Sequence, residues 1–101
     1  MRLSAINYTV NTVVSAHWEE NNTQVTASNQ PSLIYDYYGF PERAYTLQYP
    51  ALGISDLSAS IVAGLQAQGI DATANPNRGF DHGMFVPLTI MYPEADIPCI
   101  Q

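Results

Sequence analysis

Lysine is absent from the 101 residues, and three arginines against nine carboxylates leave a formal charge of -6. A chain with that balance repels phosphate backbones and anionic lipid, which argues against nucleic acid and membrane surfaces as partners. Long apolar runs are missing as well. Nothing approaches the roughly 20 residues that a bilayer span requires, and the opening MRLSAINYTVNTVV has neither the apolar region nor the small-residue cleavage site of a secretory signal. Cysteine is limited to Cys99, so an internal disulfide and a Cys-rich zinc site are both excluded, and a reducing, cytoplasmic setting is expected. Histidine is nearly as scarce: His17 and His82 are the only two, so any imidazole chemistry must fall at these places.

What is present describes a folded chain. Hydrophobic residues make up 47% and charged residues 12%, with seven tyrosines and three phenylalanines, which is the composition of a single globular domain and not of a solvating tail. Residues 8 to 18 are rich in β-branched and aromatic types and predict a strand whose VVSA segment, apolar on both faces, suits a sheet interior. TQVTAS, 23 to 28, predicts a second strand joined to the first through EENN as a solvated hairpin. Prolines and glycines break up residues 29 to 54, leaving one helical turn after Pro41. From Ser55, a plausible N-cap, Leu57, Ile61, Val62 and Leu65 fall on one face of a helix that Gly69 can close. A short strand at about 70 to 74, a turn at GFDHG, a second helix over MFVPLTIMY and the opening of a strand in DIPCIQ complete an α/β order.

His17 stands at the end of the first strand, where ligands of open α/β sheets collect. It reads either as a metal ligand or as an imidazole bonded to a nearby carbonyl. Glu19 and Glu20 are adjacent, so at most one could face the same site. His82 follows Asp81, a candidate helix cap, and precedes Gly83, which permits a tight turn. A helix start favours the neutral imidazole that works as a general base; the competing reading is that His82 only covers the helix end. A non-haem Fe(II) site needs two histidines and a carboxylate, and catalytic zinc needs three protein ligands. With His82 reserved as a base, the chain offers one histidine.

SAHWE at 15 to 19, IYDYYGFPERAYTLQYPALG at 34 to 53 and GFDHGMFVPLTIMYPEADIPCIQ at 79 to 101 resemble, in order and spacing, the class III extradiol ring-cleavage dioxygenases and, within them, the 4,5-DOPA type. The resemblance implies a fragment of a mixed sheet flanked by helices, one partial domain over 1-101, and a mononuclear metal, Fe(II) for activity or Zn(II) in its place. It implies His17 as a metal ligand and His82 as the catalytic acid/base or substrate-binding group, with a catechol-type small molecule and O2 as reactants. Tyr35, Tyr37, Tyr38 and Phe40 could line an aromatic pocket, although core packing also accounts for most of them; Tyr38 is the one carried forward as a substrate contact. The Gly-His-Gly-Ser-Pro type segment that opens such proteins, and their later ligand histidines, have no counterpart here. The rival expectation is therefore an inactive remnant that folds weakly or only with a partner supplying the missing strands, through self-association or a complementary segment. An intact small binding module is the third.

Overall fold

The computed structural model describes residues 9-101, so the start of the predicted first strand at Tyr8 lies outside the described residues. The elements are β1 (Asn11–Thr12), β2 (Thr23–Thr26), α1 (Ser55–Ala67), β3 (Ala72–Asn75), α2 (His82–Met91) and β4 (Cys99–Ile100), with a 3-10 turn at Glu42–Thr46 where one turn of helix was expected. The fold is α/β. Two parallel ladders form, β1 with β4 and β2 with β3, and α1 is the crossover between β2 and β3, because parallel neighbours need a connection of this kind.

Gln101 stitches the two ladders together. Its carbonyl accepts the Thr26 N–H at 2.8 Å and its own N–H donates to Thr26 Oγ1 at 2.9 Å. α1 closes one half of the core, its Val62 buried with Val25, Ala72 and Ile100 while Leu57, Ile61 and Leu65 pack against them. This is the face the sequence predicts. Gly69, at φ +81°, ends the helix as expected: the Gly69 N–H bonds the Gln66 carbonyl and the Ile70 N–H the Leu65 carbonyl, each at 3.0 Å, the paired closure that a left-handed residue permits. Ser55 is the first helical residue and not the cap; Ile54 takes the cap position without a side-chain bond, and the Ser55 N–H is satisfied by Asn29 Oδ1 at 2.8 Å. α2 fills the other half with Met84, Phe85 and Leu88 beside Tyr49, Ala51, Phe80 and Cys99, each large side chain contributing about 1.5–3 kcal/mol by leaving water.

The long first strand and the hairpin do not form. β1 pairs with β4 through Asn11↔Cys99 and Thr12↔Ile100, and the Val13 N–H takes the Ile100 carbonyl at 2.9 Å. Gln101 then gives its backbone to Thr26, so among the described residues Val14 has no ladder partner, and it is 98% exposed instead of lying in a sheet interior. β2 begins at Thr23, directly after EENN, and is committed over four residue pairs to β3 and not to the preceding segment. Among the described residues no helix is long and apolar enough to cross a membrane.

Candidate active site

Two remote stretches meet because Leu33 forms an isolated parallel bridge with Phe80. The Ile34 N–H bonds the Phe80 carbonyl at 2.7 Å and the Phe80 N–H the Ser32 carbonyl at 2.8 Å. Gly79 allows that approach, since a Cβ there would stand 2.2 Å from the Ser32 carbonyl oxygen. Past the bridge, Asp36, three residues after Leu33, comes to lie beside His82, two residues after Phe80 and the first residue of α2.

Asp36 Oδ1 accepts the His82 N–H at 3.0 Å and faces His82 Nδ1 at 2.6 Å. One carboxylate therefore both caps the helix and holds the imidazole. Asp81, the residue predicted to cap, occupies the cap position but makes no side-chain capping bond. Burial pushes the Asp36 carboxyl up, but the hydrogen bonds from the His82 backbone and ring, with the charge of that ring, outweigh it and hold the carboxyl below its ordinary value.

His17 joins from a turn after β1. Its N–H donates to Ser15 Oγ at 3.1 Å, its Nδ1 lies 4.0 Å from Asp36 Oδ2, and its ring centroid is 4.1 Å from that of His82, tilted by 50°. Gly83 makes room for it: a Cβ there would come within 2.7 Å of His17 Cδ2 and 2.8 Å of Ser15 Oγ. Ligand atoms of His17, Asp36 and His82 all lie within 4.8 Å of one another. Two imidazoles and a carboxylate are a donor set suited to a divalent transition metal, so the residues present fit such an ion.

The structure thus brings His17 and His82 together. Tyr38 is 91% exposed, and the aromatic ring that meets His82 is Tyr37, edge-on at 5.3 Å. Tyr37 also stacks on Tyr45 at 5.1 Å and donates its hydroxyl to the Ala44 carbonyl, so part of the aromatic cluster buttresses the site. Asp36 is the residue that sequence reasoning passed over. Its signal was a lone acid inside Ile34-Tyr35-Asp36-Tyr37, a stretch read only for its aromatic rings.

Residues 6–101 match the model of the catalytic LigB subunit of aromatic ring-opening dioxygenase. The chain belongs to this family. Among curated relatives it is 46% identical over 90 residues to dioxygenase tasH of Hapsidospora irregularis, covering 88% of this chain and 28% of that protein. It is 44% identical over 90 residues to a 4,5-DOPA dioxygenase extradiol of Escherichia coli K12, covering 88% and 32%, and 43% identical over 90 residues to one of Beta vulgaris, covering 88% and 34%. The crystal structure of the E. coli K12 protein JW3007 superposes with a TM-score of 0.60 at 36% identity, over 91% of this chain and 31% of that one. The LigB-family chain described here therefore spans about a third of the length of the relatives it matches.

Proposed function

We propose that this chain carries part of the active centre of an extradiol dioxygenase that opens catechol-type aromatic rings, with DOPA-like compounds as the substrate class. The single observation that carries the reading is the His82–Asp36 bond at 2.6 Å with the His17 ring alongside. The family membership and the dioxygenase names of the relatives support it. His17 is the metal ligand, with Fe(II) for activity and Zn(II) able to take its place. When bound, the metal supplies the electron chemistry that joins dioxygen to a catechol.

The chain's own residues supply orientation and proton transfer. In the neutral form of the ring, donation of His82 Nδ1–H to the Asp36 carboxylate leaves Nε2 as the nitrogen available to take a proton from a catechol hydroxyl. His82 then contacts substrate and holds that proton while the ring opens. Tyr38 and Phe40, both exposed beside Tyr37, form an aromatic approach on which a flat ring can rest. A cytoplasmic setting suits the single buried thiol of Cys99. Val14, exposed and without a ladder partner among the described residues, is where a second copy, or a complementary segment of longer polypeptide, would add a strand.

The proximity of all three donors favours a second reading in which Asp36 and His82 ligate the ion beside His17. Anaerobic Fe(II) titration of the 101-residue chain tests both, with His17→Ala and His82→Gln as controls and oxygen uptake with DOPA and catechol as the assay. One-to-one binding lost in His17→Ala but kept in His82→Gln, with ring cleavage lost in both, supports the acid/base role. Loss of binding in both variants supports the three-donor site. Absence of any His17-dependent binding means an inactive remnant.

A further inference from the structure

One buried ionisable side chain has no part in that chemistry. Asp81 is fully buried, and both of its carboxylate oxygens are engaged. Oδ1 accepts from Ser15 Oγ at 2.8 Å; Oδ2 accepts from Gln101 Nε2 at 2.6 Å and from Arg78 Nη2 at 3.0 Å. These contacts lead outward to the residues flanking His17. Ser15 Oγ accepts the His17 N–H at 3.1 Å, and the Arg78 guanidinium lies 4.8 Å over the ring of Trp18. One oxygen thus fixes the chain two residues before His17, and the other, through Arg78, fixes the residue directly after it. The Asp81 carbonyl meanwhile accepts the Met84 and Phe85 N–H groups, each at 3.0 Å, which starts the helix whose first residue is His82.

A carboxylate taken fully out of water is costly unless every lone pair is matched, and a well-packed apolar side chain of similar size is commonly as stable there. Its contacts to Ser15, Arg78 and Gln101 impose a geometry that an apolar residue could not. We infer that Asp81 is a positioning residue that sets His17 against His82, clamping the His17 turn from both sides while its own backbone launches the His82 helix. The inference rests on the reading above that the two histidines work as one site. It also extends to Gln101, which braces Asp81 with the 2.6 Å bond and with an acceptor for the Asp81 N–H at 3.2 Å.

Two histidines make the imidazole NMR spectrum easy to assign, and rings 4.1 Å apart give a nuclear Overhauser contact that needs no metal. In Asp81→Ala and Ser15→Ala of the 101-residue chain that contact is expected to vanish while the core resonances of Phe85 and Leu88 stay dispersed, and Zn(II) affinity is expected to fall about 10- to 100-fold. Asp81→Asn, which keeps an acceptor for Ser15, is expected to restore the contact in part. Should Asp81→Ala fail to fold, Ser15→Ala decides, because it leaves Arg78 and Gln101 on the carboxylate. An undiminished His17–His82 contact in Ser15→Ala overturns the inference, as does its absence in the unsubstituted chain. Wild-type chain that shows the contact but binds no Zn(II) defeats the proposed metal site and leaves the clamp to be judged on the contact alone.

Discussion

Asp36 and His82, 46 residues apart in sequence, share one carboxylate oxygen for two purposes: Asp36 Oδ1 takes the first N–H of α2 and lies 2.6 Å from the His82 ring nitrogen. Helix starts leave several N–H groups without internal partners, and here a residue from another segment supplies the missing acceptor. The local stability of the helix and the orientation of its imidazole are therefore one interaction. Changing either residue is expected to disturb both.

Asp36→Ala removes the acceptor altogether. The lost cap is expected to cost about 1 kcal/mol of stability, seen as a lower urea midpoint at unchanged slope. The imidazole then loses the partner that selects its Nδ1–H form, so 15N shifts of His82 are expected to move toward the Nε2–H tautomer common in free histidine. A His82 spectrum identical to wild type would remove Asp36 from the proposed mechanism.

The depressed Asp36 carboxyl also predicts the direction of an acid effect. A group whose folded pKa lies below its unfolded value contributes stability that is fully present above the unfolded value and is lost as pH falls through the folded one. With an ordinary value of 3.8, the loss begins near that pH and continues below it. Asp36→Asn is expected to be less stable than wild type at neutral pH, and the two stability curves should converge on acidification below that point. Urea unfolding of metal-free protein at a series of pH values checks this, and parallel curves would contradict it.

Gly69 predicts a change confined to stability. Its φ of +81° lies in the left-handed region, which costs a residue with a Cβ roughly 1–2 kcal/mol. Nothing lies within 4 Å of the place a Cβ would occupy, so the penalty is conformational and not steric. Gly69→Ala is expected to lower stability by about 1 kcal/mol and to leave the histidine resonances where they were. Asn at this position, which tolerates the left-handed region better, should recover part of the loss.

Much of the helical part of the fold was legible because it follows local rules. Leu57, Ile61, Val62 and Leu65 share a face at helical spacing, and Gly69 marks its end. The strands were less legible, since β-branched runs such as TVNTVV report only a preference that pairing must complete. Val13 finds Ile100, Val14 finds no ladder partner among the described residues, and the pairing stops there. The two histidines stood out by scarcity. Asp36 did not, because its role depends on the Leu33–Phe80 bridge, a contact between segments that no periodicity encodes. Asp81 was legible as a helix start but not as a clamp: its cap position is local, while its partners Ser15 and Gln101 are 66 and 20 residues away.

Gly83 separates the needs of the helix from those of the site. It lies inside α2, where alanine is ordinarily favoured over glycine by roughly 0.8–1.0 kcal/mol, so a purely local argument predicts that Gly83→Ala stabilises the protein. A Cβ at this position, however, would stand 2.7 Å from His17 Cδ2 and 2.8 Å from Ser15 Oγ. His17 lies on a turn and keeps 49% of its side chain exposed, so its ring can swing away with little cost to the core. The expected outcome is a thermal midpoint within a few degrees of wild type together with loss of the His17–His82 ring contact and a Zn(II) affinity weakened about tenfold or more. Calorimetry beside a zinc titration reads the two effects apart. A variant that keeps full zinc affinity would show that the close approach of His17 to the helix start is not needed to hold the ion.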